Sequence, residues 1–271
     1  MRRRQGCIFG GFRSAVNWAY TVRMFSDLKN KVVVVTGGIT GIGGAASLGF
    51  AKAGAKVIAQ YHAGGPELAE ATRQGITPLQ LDLTVPGAPQ RLIDAALTQF
   101  GRIDVLVNNA GSLVARVELA DLTDDHIMRV FDLNVRQLIT CCQLAAEVMK
   151  KQGSGNIINV SSIAARNGGS PGASVYAGAK GFVSAFSKSI ARELVDHKIR
   201  VNCVSPGTIH TAFHERFSTA ERRAAVAKTI PMLRLGVADD CTGTFLYLAS
   251  DEASGYVTGQ VIEVNGGQLM P

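Results

Sequence analysis

A chain of 271 residues can bury a substantial core and fits one large domain or two small ones. Apolar residues at 46% against 18% charged exclude a disordered chain, and no apolar run reaches the length of a membrane span. The formal charge of +7 does not mark a nucleic-acid binder: subtracting Arg2, Arg3, Arg4, Arg13 and Arg23, five charges in an acid-free start, leaves +2 without a basic stripe.

Residues 1–29 read as a leader, Arg-rich and acid-poor, with Phe9, Phe12, Val16 and Tyr20 at three- and four-residue steps. A mitochondrial presequence has this character. The alternative is a non-native start, since 24–31 makes a natural beginning of its own. Arg13 and Asn17 interrupt the apolar core that a secretory signal needs. The segment is expected to be poorly packed, leaving 30–271 as a single domain. The five cysteines, Cys7, Cys141, Cys142, Cys203 and Cys241, are odd in number and lack two-residue spacing. That predicts a reducing compartment with neither a disulfide framework nor structural zinc. The expected location is cytoplasmic, or the mitochondrial matrix if the leader is a presequence.

Residues 31–35 are a lysine and four valines, stopped by Thr36, Gly37 and Gly38. Apolar without alternation, the run suits a strand buried on both faces of a parallel sheet. Gly37, Gly41 and Gly43 follow, with Thr40 and Ile42 among them. A helix over 45–53 then ends at Gly54, and a second strand covers 56–61. Strand, glycine-rich turn, helix and strand within about thirty residues form a dinucleotide-binding unit. The glycines let a pyrophosphate approach the unpaired N–H groups of the helix start. No Gly-Lys-Ser/Thr closes the turn, which excludes a phosphate loop. A carboxylate at the end of the second strand would hold the ribose of NAD and repel a 2′-phosphate. Gln60, Tyr61 and His62 stand there instead, with neither acid nor arginine, which leans toward NADP over NAD.

Residues 78–84 read as a third strand, 88–100 as a helix and 104–107 as a fourth strand. Asn108, Asn109, Ala110 and Gly111 then lie at the C-terminal end, where open parallel sheets bind ligands. Thr123, Asp124 and Asp125 open a helix with a capping hydroxyl and acids against the dipole. Asn134 falls on its apolar face, where an amide is costly unless backbone satisfies it or a site employs it. A fifth strand over 156–160 closes at Ser161 and Ser162, a sixth covers 200–204, and a last strand and turn cover 257–267. Residues 212–232 carry no strand pattern and are expected to form a mobile lid. Its Phe213, Arg216, Phe217, Arg222 and Arg223 suit an acidic or amphipathic substrate no better than a neutral one. His210 and His214, without an acid or cysteine at ligand spacing, make no metal site.

Tyr176 and Lys180 share one helix face, a turn apart, and Tyr176 alone of the five tyrosines has a lysine four residues on. A tyrosine keeps its proton to about pH 10; a nearby ammonium lowers that value and makes the phenol a usable acid or base. Ala177, Gly178 and Ala179 are small enough for a flat ligand to approach the helix.

In order and separation, Thr36-Gly37 with Gly41 and Gly43, then Asn108-Asn109-Ala110-Gly111, then Tyr176 with Lys180, resemble the short-chain dehydrogenase/reductase family from about residue 28 onward. The resemblance implies an α/β fold, a Rossmann-like doubly wound parallel sheet of about seven strands with helices on both faces. It implies NAD(P)-dependent interconversion of a carbonyl and an alcohol by hydride transfer. Tyr176 would exchange the proton, Ser162 hold the oxygen, Lys180 also bond the nicotinamide ribose, and Asn134 bend its helix and link Lys180 to solvent through water. Ser162 precedes Tyr176 by fourteen residues, one more than the family spacing, with the surplus at Ser170; Ser161 therefore stays open as the inward-facing serine. Asp82 and Leu83 match adenine positions, and Asn109, Ala110 and Gly111 match positions beside ribose and pyrophosphate. Ile209 matches the nicotinamide amide site and Thr211 the phosphates, with Pro206 and Gly207 in the same loop. The implied partners are a small carbonyl or alcohol substrate and a second subunit, as a homodimer or homotetramer through the helix after Lys180, with no nucleic acid or membrane. Two other readings are a non-catalytic nucleotide-binding scaffold or sensor, and an epimerase or dehydratase. The full Ser, Tyr, Lys and Asn set opposes the first. Relatives of the second usually carry a larger C-terminal domain than this chain has room for.

Overall fold

Four consecutive valines leave no polar face for water, so the strand they form must be covered on both sides. In the computed structural model, which describes residues 25–65 and 67–270, β1 (Val32–Thr36) is buried at every position. The first half continues with α1 (Gly41–Lys52), β2 (Lys56–Tyr61), α2 (Glu67–Arg73), β3 (Thr77–Gln80), α3 (Ala88–Phe100) and β4 (Val105–Asn108). The second half begins with α4 (Asp124–Phe131), α5 (Gln137–Gln152), β5 (Gly155–Val160), α6 (Ala164–Asn167), α7 (Ser174–Leu194) and β6 (Ile199–Pro206). It closes with β7 (Ile209–His210), α8 (Ala212–Phe217), α9 (Ala220–Thr229), β8 (Gly236–Val237), α10 (Asp239–Ala249), α11 (Asp251–Ser254) and β9 (Val261–Val264).

Seven strands pair in parallel in the order β3-β2-β1-β4-β5-β6-β9. The order reverses between β1 and β4, which opens a crevice beyond their carboxyl ends. Alternate strand residues face opposite sides. Val34, Ile58, Leu106, Ile157 and Val201 meet Leu92, Leu138, Met149 and Val183 of α3, α5 and α7. On the other side Val33, Val35, Val57, Val107 and Ile158 meet Phe50 of α1 and Phe245 of α10. This is the two-faced sheet expected.

Packing begins earlier than the boundary at residue 29. Ser26–Leu28 forms a 3-10 turn with Leu28 fully buried. The Asp27 carboxylate accepts hydrogen bonds from Ser250 Oγ at 2.8 Å and from the N–H of Asp251 at 2.8 Å. The rest of the proposed leader, 1–24, lies outside the described residues. β3 ends at Gln80 rather than at residue 84, because Asp82 accepts the N–H and hydroxyl of Thr84 at 2.9 and 2.7 Å and turns the chain. The segment 212–232 is not irregular: it carries α8 and α9, the latter capped by Thr219, which accepts the N–H of Arg222. Within the last strand and turn over 257–267 the strand is Val261–Val264, since Gly259 at φ 71° holds the chain out of extended geometry before it and Gly266 at φ 64° turns it afterwards.

Candidate functional site

Three strand ends build one side of the crevice. Gly37, at φ 59°, turns the chain after β1 and donates its N–H to Gln60 Oε1 at 2.9 Å. Gln60 in turn donates to the Leu81 carbonyl at 2.6 Å, tying the ends of β1, β2 and β3 together. Asn109 donates through Nδ2 to the carbonyls of Thr36 and Gly37 at 3.1 and 3.0 Å. The Thr36 hydroxyl receives the N–H groups of Asn109 and Ala110, both at 3.0 Å. Thr40 precedes α1 without capping it through its side chain, so the first N–H groups of a 12-residue helix face the crevice. That arrangement, a fixed glycine turn beside uncapped donors, fits the pyrophosphate of a dinucleotide.

The crevice is one cleft of about 910 Å3. It is lined by Gly37, Thr40, Gly41, Ile42, His62, Asp82, Leu83, Asn109, Ala110, Gly111, Ser162, Tyr176, Lys180, Pro206, Gly207, Ile209 and Thr211. Three candidates lie behind the wall instead. Tyr61 packs against the apolar cluster around Phe50, since alternation along β2 turns it from the cleft that its neighbour His62 faces. Gly43 is buried beneath the glycine turn. Asn134 is completely buried. Nor do Ala177, Gly178 and Ala179 offer a ligand platform: the two alanines are packed inward and Gly178 is exposed away from the cleft lining.

Asn134 sits in a π-helical turn, Asp132–Arg136, between α4 and α5. Its Nδ2 donates to the carbonyls of Ser112 and Val130, both at 2.8 Å, and its Oδ1 accepts the Ser112 N–H at 3.2 Å. Neighbouring backbone therefore meets its hydrogen bonds, as in the blander of the two alternatives, while the helix widens at that residue. A Cβ on Gly111 would stand 2.6 Å from Asn134 Oδ1 and 3.0 Å from Lys180 Nζ, so Gly111 keeps those two side chains next to one space.

The two serines diverge. Ser161 is buried and donates to the Lys180 carbonyl of α7 at 2.9 Å, bracing the helix against β5. Ser162 instead lines the cleft together with Tyr176, and its Oγ accepts the Ala164 N–H at 3.1 Å. Lys180 Nζ donates to the Val160 carbonyl at 2.8 Å and lies 5.8 Å from the Tyr176 ring centre. Burial pushes the Tyr176 phenol up to about 12, with the neighbouring Ser162 hydroxyl opposing it, and burial pulls Lys180 down to about 8. The phenol is thus raised, where its spacing to Lys180 suggested a lowering, because loss of water around the phenolate is the largest influence on it. The ring meets Phe213 of α8, centres 6.0 Å apart, so α8 lies over the tyrosine.

The strand-tying role of Gln60 and the place of Arg116 escaped sequence reasoning. Gln60 had a signal, a polar residue inside the apolar run of β2. Arg116 had none: its guanidinium donates to the Phe217 carbonyl at 2.8 Å and to Ser170 Oγ at 2.8 Å, partners 101 and 54 residues away in the chain. His210 approaches Glu215 at 3.3 Å.

A sequence family described as enoyl-(acyl carrier protein) reductase matches residues 37–268, which spans the strand-end crevice and the Tyr176–Lys180 helix together. The chain belongs to the short-chain dehydrogenase/reductase family. As a member of that family it is 36% identical to a 3-oxoacyl-[acyl-carrier-protein] reductase of Synechocystis sp., over 90% of this chain and 98% of the relative. It is 37% identical to a 3alpha-hydroxysteroid dehydrogenase of Mediterraneibacter gnavus, over 90% of this chain and 98% of that protein. Among solved structures it resembles an NADH-dependent reductase, A1-R′, complexed with NAD, with a TM-score of 0.80 and 34% identity over 92% of this chain and 100% of the other. No helix among the described residues is long and apolar enough to cross a membrane.

Proposed function

We propose that this short-chain dehydrogenase/reductase interconverts a carbonyl and an alcohol, with Tyr176 as the proton donor or acceptor. The single observation that carries the reading is that Ser162, Tyr176 and Lys180 line one cleft, with Lys180 Nζ 5.8 Å from the Tyr176 ring centre, onto which α1 points its uncapped N–H groups. A nicotinamide dinucleotide bound along the glycine turn supplies or accepts the hydride. Thr40, Gly41 and Ile42 hold its pyrophosphate, Asp82 and Leu83 border its adenine, and Ile209 and Thr211 border its other end. In reduction Tyr176 Oη gives a proton to the substrate oxygen, which Ser162 Oγ also binds; in oxidation Oη takes it back. Lys180 keeps a positive charge against the phenolate and reaches the ribose. Asn134 sets the helix geometry that leaves room beside Lys180. The cysteines support a reducing compartment, the cytoplasm in the simplest case: Cys141, Cys142, Cys203 and Cys241 are all buried and unpaired.

NADP is the preferred cofactor in this reading, because the residue after β2 is His62, its side chain 75% exposed, where a carboxylate would repel the 2′-phosphate. Assaying the purified protein with NADPH and NADH against ketones, sugars, steroids and acyl thioesters is expected to show turnover of at least one class, with higher kcat/KM for NADPH. Tight NADPH binding without turnover of any class would favour the scaffold reading instead.

The protein is proposed to be a homodimer or homotetramer. Met128 and Phe131 of α4 and Phe182 of α7 are 58%, 38% and 39% exposed, and Ile127, Val135 and Ile139 extend the first pair into an apolar groove. Apolar surface of this kind marks association. Light scattering is expected to show a dimer or larger species for the native protein and a smaller species for a Met128→Glu, Phe131→Glu variant. A monomeric native protein would end the proposal.

A further inference from the structure

We infer that the substrate carries an oxyanion, a carboxylate or phosphate, bound at the lid end of the cleft by Arg116, Arg216 and Arg222. This rests on the oxidoreductase reading above and narrows its substrate class. All three residues line the same cleft as Tyr176. Among the described residues none of them has a carboxylate within ion-pair distance, whereas Arg129, also on the cleft wall, is matched by Asp125 at 3.7 Å. Of the lid's acids, Glu215 is engaged elsewhere, facing His210 at 3.3 Å.

Arg116 is the fixed member of the group. It bridges the lid and the loop before α7 through Phe217, Ser170 and the Pro171 carbonyl. Each of those partners is neutral, so its charge remains uncompensated. Arg222 lies near enough to repel it: that repulsion, after burial, is what holds the Arg116 guanidinium below its ordinary range. Arg216 rests over the Phe217 ring at 5.3 Å, and Phe217 packs edge-on against Phe213, which covers Tyr176. The lid thus presents an aromatic surface toward the tyrosine and a set of like charges behind it. The three are exposed along the edge of one cleft, where an anion between them would remove the repulsion between Arg116 and Arg222 while accepting planar N–H donors. A substrate carried on an acidic protein is the rival, since its charge would sit outside the cleft.

The test measures binding by calorimetry with NADP+ present, so that no reduction occurs, using levulinate against methyl levulinate and dihydroxyacetone phosphate against dihydroxyacetone. The anion of at least one pair is expected to bind about tenfold more tightly than its neutral partner, from one or two charge-assisted hydrogen bonds. The pair that shows it distinguishes carboxylate from phosphate. In an Arg216→Gln, Arg222→Gln variant, or in high salt, the ratio is expected to fall to about twofold. The neutral partner serves as the internal control for a disturbed lid. Equal binding within both pairs, or a ratio unchanged in the variant, overturns the inference, and acceptance of carrier-linked substrates in that case assigns the charge to a carrier. Preferential anion binding with no NADPH or NADH turnover of any carbonyl leaves the anion site standing and fells the oxidoreductase reading. Turnover with equal binding does the reverse.

Discussion

Replacing Tyr176 by Phe is expected to reduce turnover by about a thousandfold, the scale of a lost general acid, while the NADPH dissociation constant changes less than about twofold. The substitution removes one oxygen atom. It leaves the ring against Phe213 and leaves Lys180 on the Val160 carbonyl, so the cleft keeps its shape. Stopped assays for rate and fluorescence titration for NADPH separate the two effects; native turnover in the variant would remove Tyr176 from the chemistry. The pH dependence of the native protein follows from the same pair. With the phenol at about 12, Tyr176 is protonated throughout the neutral range and ready to donate, so carbonyl reduction is expected to vary little with pH below the Lys180 value of about 8. Alcohol oxidation needs the phenolate, so its rate is expected to rise about tenfold per pH unit across the neutral range and to flatten as Lys180 loses its charge. The stability effects have the opposite signs. Lys180 ionises at about 8 when folded and near 10.4 when unfolded, so between those values the unfolded chain binds more protons and stability rises with pH. Tyr176 is raised by burial, so above about pH 10 the unfolded chain releases its proton first and stability falls.

The sheet was legible because its strands carry their burial in their composition. Four valines in β1 and the apolar cores of β4 and β5 have no solvent face, and glycine punctuation marks where each crossover begins. Likewise the crevice: Gly37, Gly41, Asn109 and Tyr176 with Lys180 lie at strand ends and a helix start, places fixed by the parallel order of the sheet. What the chain did not disclose depends on contacts between distant segments. The direction of the Tyr176 shift is set by how much water α8 and the loop before α7 exclude, which four-residue spacing cannot report. The divergence of Ser161 from Ser162 is decided by whether α7 has a carbonyl within reach. Of the two candidates Tyr61 and His62, only His62 faces the cleft, for a simpler reason: strand alternation applies to Tyr61, the last residue of β2, and turns it to the other side. Arg116 gained its place from Phe217 and Ser170, and the lid formed two short helices, the second capped by the Thr219 hydroxyl, where no strand pattern existed.

The cofactor turn should tolerate no side chain at its centre, and Gly43→Ala is the sharpest probe of that. A Cβ at Gly43 would lie 2.1 Å from the Gly37 carbonyl oxygen and 2.4 Å from Asn109 Nδ2. Neither neighbour can yield cheaply. Gly37 is held at φ 59° by its bond to Gln60, and Asn109 Nδ2 is already spent on the carbonyls of Thr36 and Gly37. Relief therefore requires the turn to move away from β4, breaking the bonds that join three strand ends. The expected cost is about 3 kcal/mol, at the upper end for an overpacked core, and a fall in Tm of roughly 6–12 °C. NADPH affinity is expected to drop at least about tenfold, because the N–H groups of α1 no longer converge on one pyrophosphate. Gly243→Ala is the matched control: it lies exposed within α10 with nothing near the new methyl group, and is expected to gain up to about 1 kcal/mol from helix propensity. If Gly43→Ala melted with the native protein and bound NADPH as well, the turn would have slack that the hydrogen bonds around it deny, and the cofactor would have to be held by some other part of the cleft.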